Sequence, residues 1–277
     1  MRAVADGMRL QSIALLGVVE RNTYLIRRFV WWELAWFLYT VANTLTIVFI
    51  AKGVEAGGYH LDVNREMIIL LIGAVVWSYL GLVFEIETET VAWERWEGTI
   101  EYTFMAPLSR AVHLLGMGAF AVLYGVVRTV ALFGLVALML GVQFGSPDFV
   151  TATVVLAASS VSFVGIGMMT AVLPLVSPEK GTQLGFIAQG LLLVISGVYY
   201  PVSVLPQWMQ WLSVVSPATY TLEGARRAIL DGAGVTAVWD DLWPLIVIGA
   251  IAVPLGLFVF SVGERYAKRH GRLKRSG

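Results

Sequence analysis

Long apolar segments, separated by short polar ones, dominate the pattern along the chain. About 20 mostly apolar residues are enough for a helix to cross the hydrocarbon core of a bilayer. The segments are apolar throughout and do not alternate residue by residue, which argues against a transmembrane β-barrel. The pattern therefore predicts an all-α, polytopic membrane protein with six spans, at about residues 29–51, 67–86, 111–140, 149–173, 184–200 and 242–260.

Two of the predicted spans depart from the ideal length. The third, 111–140, is too long for a perpendicular crossing and should tilt or extend beyond one surface. The fifth, 184–200, is marginal because Pro201 ends it early. No internal repeat or polar linker interrupts the pattern, so residues 1–277 are interpreted as one transmembrane domain.

Composition and charge sharpen this picture. Hydrophobic residues make up 58% of the chain and charged residues 14%, whereas soluble domains carry about 25% charged residues. Six spans place both termini on one side, and that side holds most of the lysines and arginines, including the basic tail 261–277. The opposite side holds only Lys52, Arg65, Arg226 and Arg227. The positive-inside rule then predicts cytoplasmic termini and a location in the inner (cytoplasmic) membrane.

Residues 12–28, ahead of the first span, are predicted to form an amphipathic helix. Arg21, Arg27 and Arg28 accompany its apolar residues and would point toward lipid phosphates in the inner headgroup layer. Its apolar residues recur near helical spacing: Leu15, Val18, Val19, Leu25 and Ile26. An equally weighted alternative is that this helix only anchors the first span.

The connection between the second and third spans predicts a cytoplasmic helix with two different faces. Its aromatic and apolar face comprises residues at i, i+3, i+7 and i+11, namely Trp93, Trp96, Ile100 and Phe104. Its acidic face comprises Glu94, Glu97 and Glu101. The inner leaflet is negatively charged and favours basic helices, so docking to a protein is favoured over resting on lipid.

Arg128 lies near the middle of the third predicted span. A central arginine costs at least about 2.5 kcal/mol by insertion scales, so it must face protein or water. Asn43 and Tyr79 lie at similar depth, and the three residues form a possible substrate path. A hydrogen-bonded packing role for Arg128 is the open alternative.

Residues 201–231, between the fifth and sixth spans, are too apolar for an ordinary loop and too interrupted by proline for a span. Leu205, Trp208, Met209 and Leu212 follow helical spacing. The pattern predicts short helices that enter the outer leaflet without crossing it, as a lid over a route out of the membrane.

Several kinds of chemistry are not indicated. The chain has no cysteine and neither a GxxxxGK[ST] nor an HExxH motif. We therefore expect no catalytic residue, metal or bound cofactor in this chain, and no enzyme activity of its own. An ion channel or ion-coupled carrier, using Arg128 and Glu33, is the alternative of another class. It is disfavoured because such carriers often have internal repeats and mid-membrane carboxylates.

Two segments resemble a known family. "SGVYYPVSVLPQWMQWLSVVSPATYTLEGAR" resembles the region before the last span of type-2 ATP-binding-cassette (ABC) exporter permeases, and "WEGTIEYTFMAPLSR" resembles their first cytoplasmic loop. The resemblance implies a permease that pairs with a second copy or a paralogue in the membrane lipid. It also implies a separate nucleotide-binding ATPase subunit, which would bind ATP and Mg. No nucleic acid partner is implied.

The resemblance also assigns roles to residues. Residues 12–28 would be the connecting helix. The coupling helix toward the ATPase subunit would contain Trp93, Glu94, Trp96, Glu97, Gly98, Glu101 and Phe104. The outer gate would contain Tyr199, Tyr200, Trp208 and Trp211. The implied cargo is hydrophobic or amphiphilic, such as a drug, antibiotic or lipid-like molecule, and a lipid-linked polysaccharide is the close alternative.

Overall fold

The computed structural model describes residues 2–57, 62–106, 109–177 and 179–270, with the backbone alone for residues 2–9 and 104. Every regular element within these residues is helical. Residues 271–277 of the predicted basic tail lie outside the described residues. In chain order the helices are α1 (Arg2–Arg28), α2 (Val30–Ala56), α3 (Val63–Trp96), α4 (Ile100–Met105), α5 (Arg110–Leu140), α6 (Phe149–Thr170), α7 (Val172–Val176), α8 (Gly181–Ile195), a 3₁₀ turn (Val202–Val204), α9 (Gln207–Ser213), α10 (Pro217–Leu230) and α11 (Trp239–Arg269).

Five helical segments of the described chain are long and apolar enough to cross a membrane. They are α2, α3, α5, α6 continued by α7, and α11. The predicted fifth span, 184–200, corresponds to α8, which has 15 residues. A helix of that length extends only about 22 Å, against about 30 Å of hydrocarbon. The all-helical membrane fold is confirmed, while the sixth crossing and the single-domain interpretation stay predictions.

Helix α3 forms the centre of the bundle. It packs against α2, α5, α6, α8 and α10, and 72% of its most apolar stretch is buried, against 17% for α5. Leu71, Tyr79 and Leu80 are among its fully enclosed side chains. Helices α2 and α5 instead leave broad apolar faces uncovered, which suits contact with lipid or another chain.

Helix α11 packs closely along α6 through small residues. A Cβ atom at Gly256 would lie 2.5 Å from the carbonyl oxygen of Gly165, so only glycine permits this approach. Close helix packing through small residues is common in membrane bundles.

Helix α1 packs differently from the prediction. It lies against α5, and Val18, from the apolar face predicted for the headgroup layer, is buried there. Arg21 does not point toward lipid phosphate but donates to Glu94 on α3. The predicted lipid-facing role of Arg21 is therefore wrong, because a carboxylate of the bundle is its partner. The apolar residues that α1 leaves exposed are others: Leu10, Ile13, Leu16 and Tyr24.

Candidate functional site

The chain turns sharply between α3 and α4. Gly98 has a φ of 75°, a left-handed conformation that glycine adopts without penalty. The Thr99 N–H donates to the Glu94 carbonyl at 2.8 Å, and the Gly98 N–H donates to the Arg95 carbonyl at 3.2 Å. These two bonds form a Schellman cap, which satisfies carbonyls that a helix end leaves without partners.

This turn contradicts the prediction of one helical face from Trp93 to Phe104. The first helix ends at Trp96 and the next begins at Ile100, so the register of a single helix does not apply. Trp93 and Trp96 are exposed, with their rings edge to face at 5.5 Å. Ile100 is 1% exposed and belongs to the main core. The side chain of Phe104 lies outside the described residues.

The acidic face is divided as well. Glu97 and Glu101 are exposed, but Glu94 is buried. Aromatic and acidic side chains are therefore both exposed around this turn, and the single helix with two opposite faces does not form. We call this surface the acidic-aromatic corner, and it comprises Trp93, Trp96, Glu97, Glu101, Tyr102 and Met105.

Glu94 connects three helices behind the corner. Arg21 Nη1 of α1 donates to Glu94 Oε1 at 2.9 Å. His113 Nε2 of α5 lies 3.3 Å from the same oxygen. Glu94 is 5% exposed at its side chain, whereas Arg21 is 39% exposed. Glu94, predicted to contact a partner subunit, is thus covered in this chain by α1 and α5.

Two arginines with no role predicted from the sequence also attach the acidic-aromatic corner to neighbouring helices. Arg95, 1% exposed, donates to the Pro174 carbonyl of α7 at 2.7 Å. Arg110, at the start of α5, donates to the Thr103 carbonyl of α4 at 2.9 Å and to Glu264 of α11 at 3.2 Å. The corner is therefore attached to α1, α5, α7 and α11.

Among the described residues, Arg128 and Tyr79 of the predicted substrate path form their side-chain hydrogen bonds with residues outside that path. Arg128 of α5 donates to Thr40 Oγ1 of α2 at 3.0 Å. Asn43 is exposed about one turn along α2 from Thr40, and Tyr79 is buried and bonded to Ser160 of α6. Arg128 therefore has a hydrogen-bonded packing partner, which its sequence neighbours did not indicate.

An open cleft lies between α3 and α8. Its cavity volume is only about 10 Å³, on the order of the space that one water molecule needs. Its walls combine aromatic rings, carboxylates, hydroxyls and an amide, from Phe84, Glu85, Thr88, Glu89, Thr182, Gly185, Phe186 and Gln189. The cleft as it stands is therefore too small for any part of a drug-sized molecule unless α3 and α8 move apart. Within the described residues, no group of three His, Asp or Glu side chains is placed to hold a metal ion.

The predicted outer gate lies on the segment between α8 and α10. Trp208 and Trp211 are 66% and 73% exposed, while Tyr199 and Tyr200 are half-buried. Arg226 of α10 holds this segment in place, because its guanidinium group donates to the Gly197 carbonyl at 3.2 Å and to the Val198 carbonyl at 2.6 Å. We call the residues from Gly197 to Ser216, between the end of α8 and the start of α10, the outer cap.

Two serine contacts also fasten the outer cap to α8. Ser196 Oγ and Ser216 Oγ are 2.7 Å apart, and Ser213 Oγ donates to the Ile195 carbonyl at 2.5 Å. The end of α8 and the start of α10 are thereby linked through hydroxyls. Polar main-chain groups of this broken segment therefore find partners within the protein, as irregular backbone at membrane depth requires.

Comparison with known proteins identifies the family. The family model described as ABC-2 type transporter matches residues 23–230. The probable multidrug ABC transporter permease YbhR of Escherichia coli K12 is 26% identical over 163 residues, 58% of this chain and 43% of that protein. The linearmycin resistance permease protein LnrN of Bacillus subtilis 168 is 29% identical over 119 residues, 43% of this chain and 30% of that protein. The matched part thus spans less than half of either relative. Because the family model covers most of the chain, this protein belongs to the ABC-2 type transporter family of membrane permeases.

Proposed function

We propose that this chain is the permease subunit of an ATP-driven exporter for a hydrophobic or amphiphilic molecule, such as a drug, antibiotic or lipid-like compound. The observation that carries the proposal is the acidic-aromatic corner, which is exposed yet firmly attached to the bundle. The names of the relatives support an export role, since YbhR is described as a multidrug permease and LnrN as a linearmycin resistance permease.

The corner suits a nucleotide-binding subunit as its partner. Trp96, Tyr102 and Met105 are each more than two-thirds exposed, and aromatic residues and methionine are enriched in protein interfaces. Glu97 and Glu101 would favour a groove with a basic rim, because complementary charges steer association. The chain has no phosphate-binding loop, so ATP and Mg belong on that partner subunit.

Movement at the corner would reach the bundle through α3. Trp93 and Trp96 are the last turn of the same helix that forms the bundle centre. The contacts of Glu94 with Arg21 of α1 and His113 of α5 would make α1 and α5 move together with α3. A displacement of α3 would therefore change the cleft that it forms with α8.

The cargo would enter between α3 and α8 once a displacement of α3 has widened that cleft, and would leave past the outer cap. Phe84 and Phe186 offer apolar walls, and Gln189 with the carboxylates offers polar contacts. Because the cleft is small, the rest of the cargo would lie in lipid or against a second permease copy, either identical or paralogous. The exposed apolar faces of α2 and α8 suit such contacts. Trp208 and Trp211 would form the exit on the outer side.

The proposed setting is the cytoplasmic membrane, with both termini in the cytoplasm. The charge bias of the predicted loops supports this orientation. It places the acidic-aromatic corner on the side where ATP is available.

Replacing Glu97 by lysine tests the docking role. Glu97→Lys reverses the charge of an exposed residue, so we expect loss of the nucleotide-binding subunit on co-purification, or ATPase activity that no longer drives export. Glu55→Lys, an exposed site on the predicted outer side, is the matched control and should retain both. If the Glu97→Lys complex purifies intact and exports normally, the assignment of the corner is wrong. Export of an amphiphilic compound and export of a lipid-linked glycan are measured in parallel. Export of the glycan alone would favour the polysaccharide alternative.

A further inference from the structure

One carboxyl group in the bundle is enclosed on all sides and lacks a polar partner. Glu87 of α3 is 0% exposed. Neither Oε1 nor Oε2 has a hydrogen-bond partner among the described residues. An ionised carboxylate without a partner is very costly in an apolar interior, whereas the neutral acid costs far less. The geometry therefore requires a neutral carboxylic acid at Glu87.

Two glycines from neighbouring helices make room for this side chain. A Cβ atom at Gly118 of α5 would lie 2.8 Å from Glu87 Oε1. A Cβ atom at Gly167 of α6 would lie 2.6 Å from Glu87 Cβ. A Cβ atom at Gly118 would also lie 2.6 Å from Val164 Cγ1, so these glycines let α5 and α6 pack closely around Glu87.

Hydroxyl groups near Glu87 are bonded elsewhere. On α3, Thr88 Oγ1 is 2.6 Å from Thr170 Oγ1 of α6, and Thr90 donates to the Ile86 carbonyl. Glu87 therefore has no hydroxyl from its own helix or from α6 to share its proton.

Charged groups on the adjoining helices also face away. From α5, His113 faces Glu94, and from α1 Arg21 does the same. On α6, Gly167 lies against Glu87 and Val164 lies against Gly118, and neither residue carries a charge. Among the described residues, no side chain donates a hydrogen bond to either oxygen of the Glu87 carboxyl group. No nearby cation could hold it ionised.

We propose that Glu87 is a proton-binding site and that its proton is released when α3 separates from α5 and α6. In the release step the Glu87 O–H bond breaks, the electron pair stays on the carboxylate, and the proton passes to entering water. Water stabilises the ionised form, so raising the pH favours the hydrated arrangement and lowering it favours the packed one. The release step rests on the proposed transport cycle, while proton occupancy of Glu87 does not.

Infrared spectroscopy of the whole chain in lipid tests the occupancy directly. A neutral carboxylic acid gives a C=O stretching band well separated from carboxylate bands, and the band shifts in heavy water. The wild type should show such a band at neutral pH that Glu87→Gln loses, whereas Glu55→Gln should keep it. If Glu87→Gln does not fold, Glu87→Asp should instead shift the band. Wild-type spectra without the band, or an unchanged band in Glu87→Gln, would overturn the proposal.

Proton release is measured on the complex with its nucleotide-binding subunit. Trapping the complex with a non-hydrolysable ATP analogue in weak buffer should release about one more proton per permease chain from the wild type than from Glu87→Gln. Equal release would refute the release step. A chain that shows the infrared band but binds no such subunit refutes the proposed function and the release step, and supports the proton site alone.

Discussion

The acidic-aromatic corner and the outer cap are both held by arginines that donate to main-chain carbonyls, but the corner is held by ion pairs between helices as well. At the corner, charged side chains pair with each other across helices, as Arg21 does with Glu94 and Arg110 with Glu264. At the outer cap, Arg226 donates to main-chain carbonyls, and Ser196 and Ser216 join their hydroxyls. Ion pairs can exchange partners and respond to salt, whereas main-chain carbonyls of a turn have fixed positions. The corner is therefore suited to transmit a change, and the cap to hold its shape.

The largest expected effect is at the outer cap. Arg226→Ala removes the donors to Gly197 and Val198, and hydrogen bonds from a charged donor contribute about 1.5–3 kcal/mol each. We expect the free energy of unfolding to fall by about 3 kcal/mol, measured by denaturant unfolding in detergent.

Arg65→Ala, at an exposed arginine on the predicted outer side, is the control for this change. It should shift stability by no more than about 0.5 kcal/mol. An Arg226→Ala protein as stable as the Arg65→Ala control would refute the fixed attachment of the cap.

A substitution at Glu94 tests whether ion pairs attach the acidic-aromatic corner to the bundle. Glu94→Ala leaves the partly exposed Arg21 and buried His113 without their shared acceptor, and we expect a loss of about 2 kcal/mol in the free energy of unfolding. A double-mutant cycle with Arg21→Ala should give a coupling of about 1 kcal/mol that shrinks at high salt. Zero coupling at low salt would mean that the ion pair does not join α1 to the corner.

The smallest expected effect concerns the turn itself. Gly98→Ala forces a residue with a Cβ atom into a φ of 75°, at a cost of about 1 kcal/mol. Gly53→Ala, in open space on α2, should be neutral or slightly stabilising. If both substitutions behave alike in thermal unfolding, the left-handed turn at Gly98 does not form.

Much of the fold could be predicted because hydropathy depends only on local composition. The third predicted span, 111–140, agrees with helix α5, Arg110–Leu140. The break at Gly98 also has a local signal, since a glycine just after a helical pattern is a common helix stop. The prediction of one continuous helical face overlooked this break, because Ile100 happens to fit the helical spacing of Trp93 and Trp96.

Other features could not be read from the chain. Glu87 and Arg95 lie in a polar stretch that resembles a solvated loop, but both are buried. Their surroundings depend on which residues α5 and α6 bring near them, such as Gly118 and Gly167. Arg128 likewise donates a hydrogen bond to Thr40, which lies on a helix distant in sequence.

The most direct test of the central claim uses the absence of cysteine from the chain. Single substitutions Glu97→Cys at the corner and Gln207→Cys at the cap are labelled in intact cells with a membrane-impermeant thiol reagent. The account predicts that the reagent labels Gln207→Cys in intact cells. It should label Glu97→Cys only in inverted vesicles, and adding the nucleotide-binding subunit to those vesicles should reduce that labelling. Labelling of Glu97→Cys from outside intact cells would contradict the account.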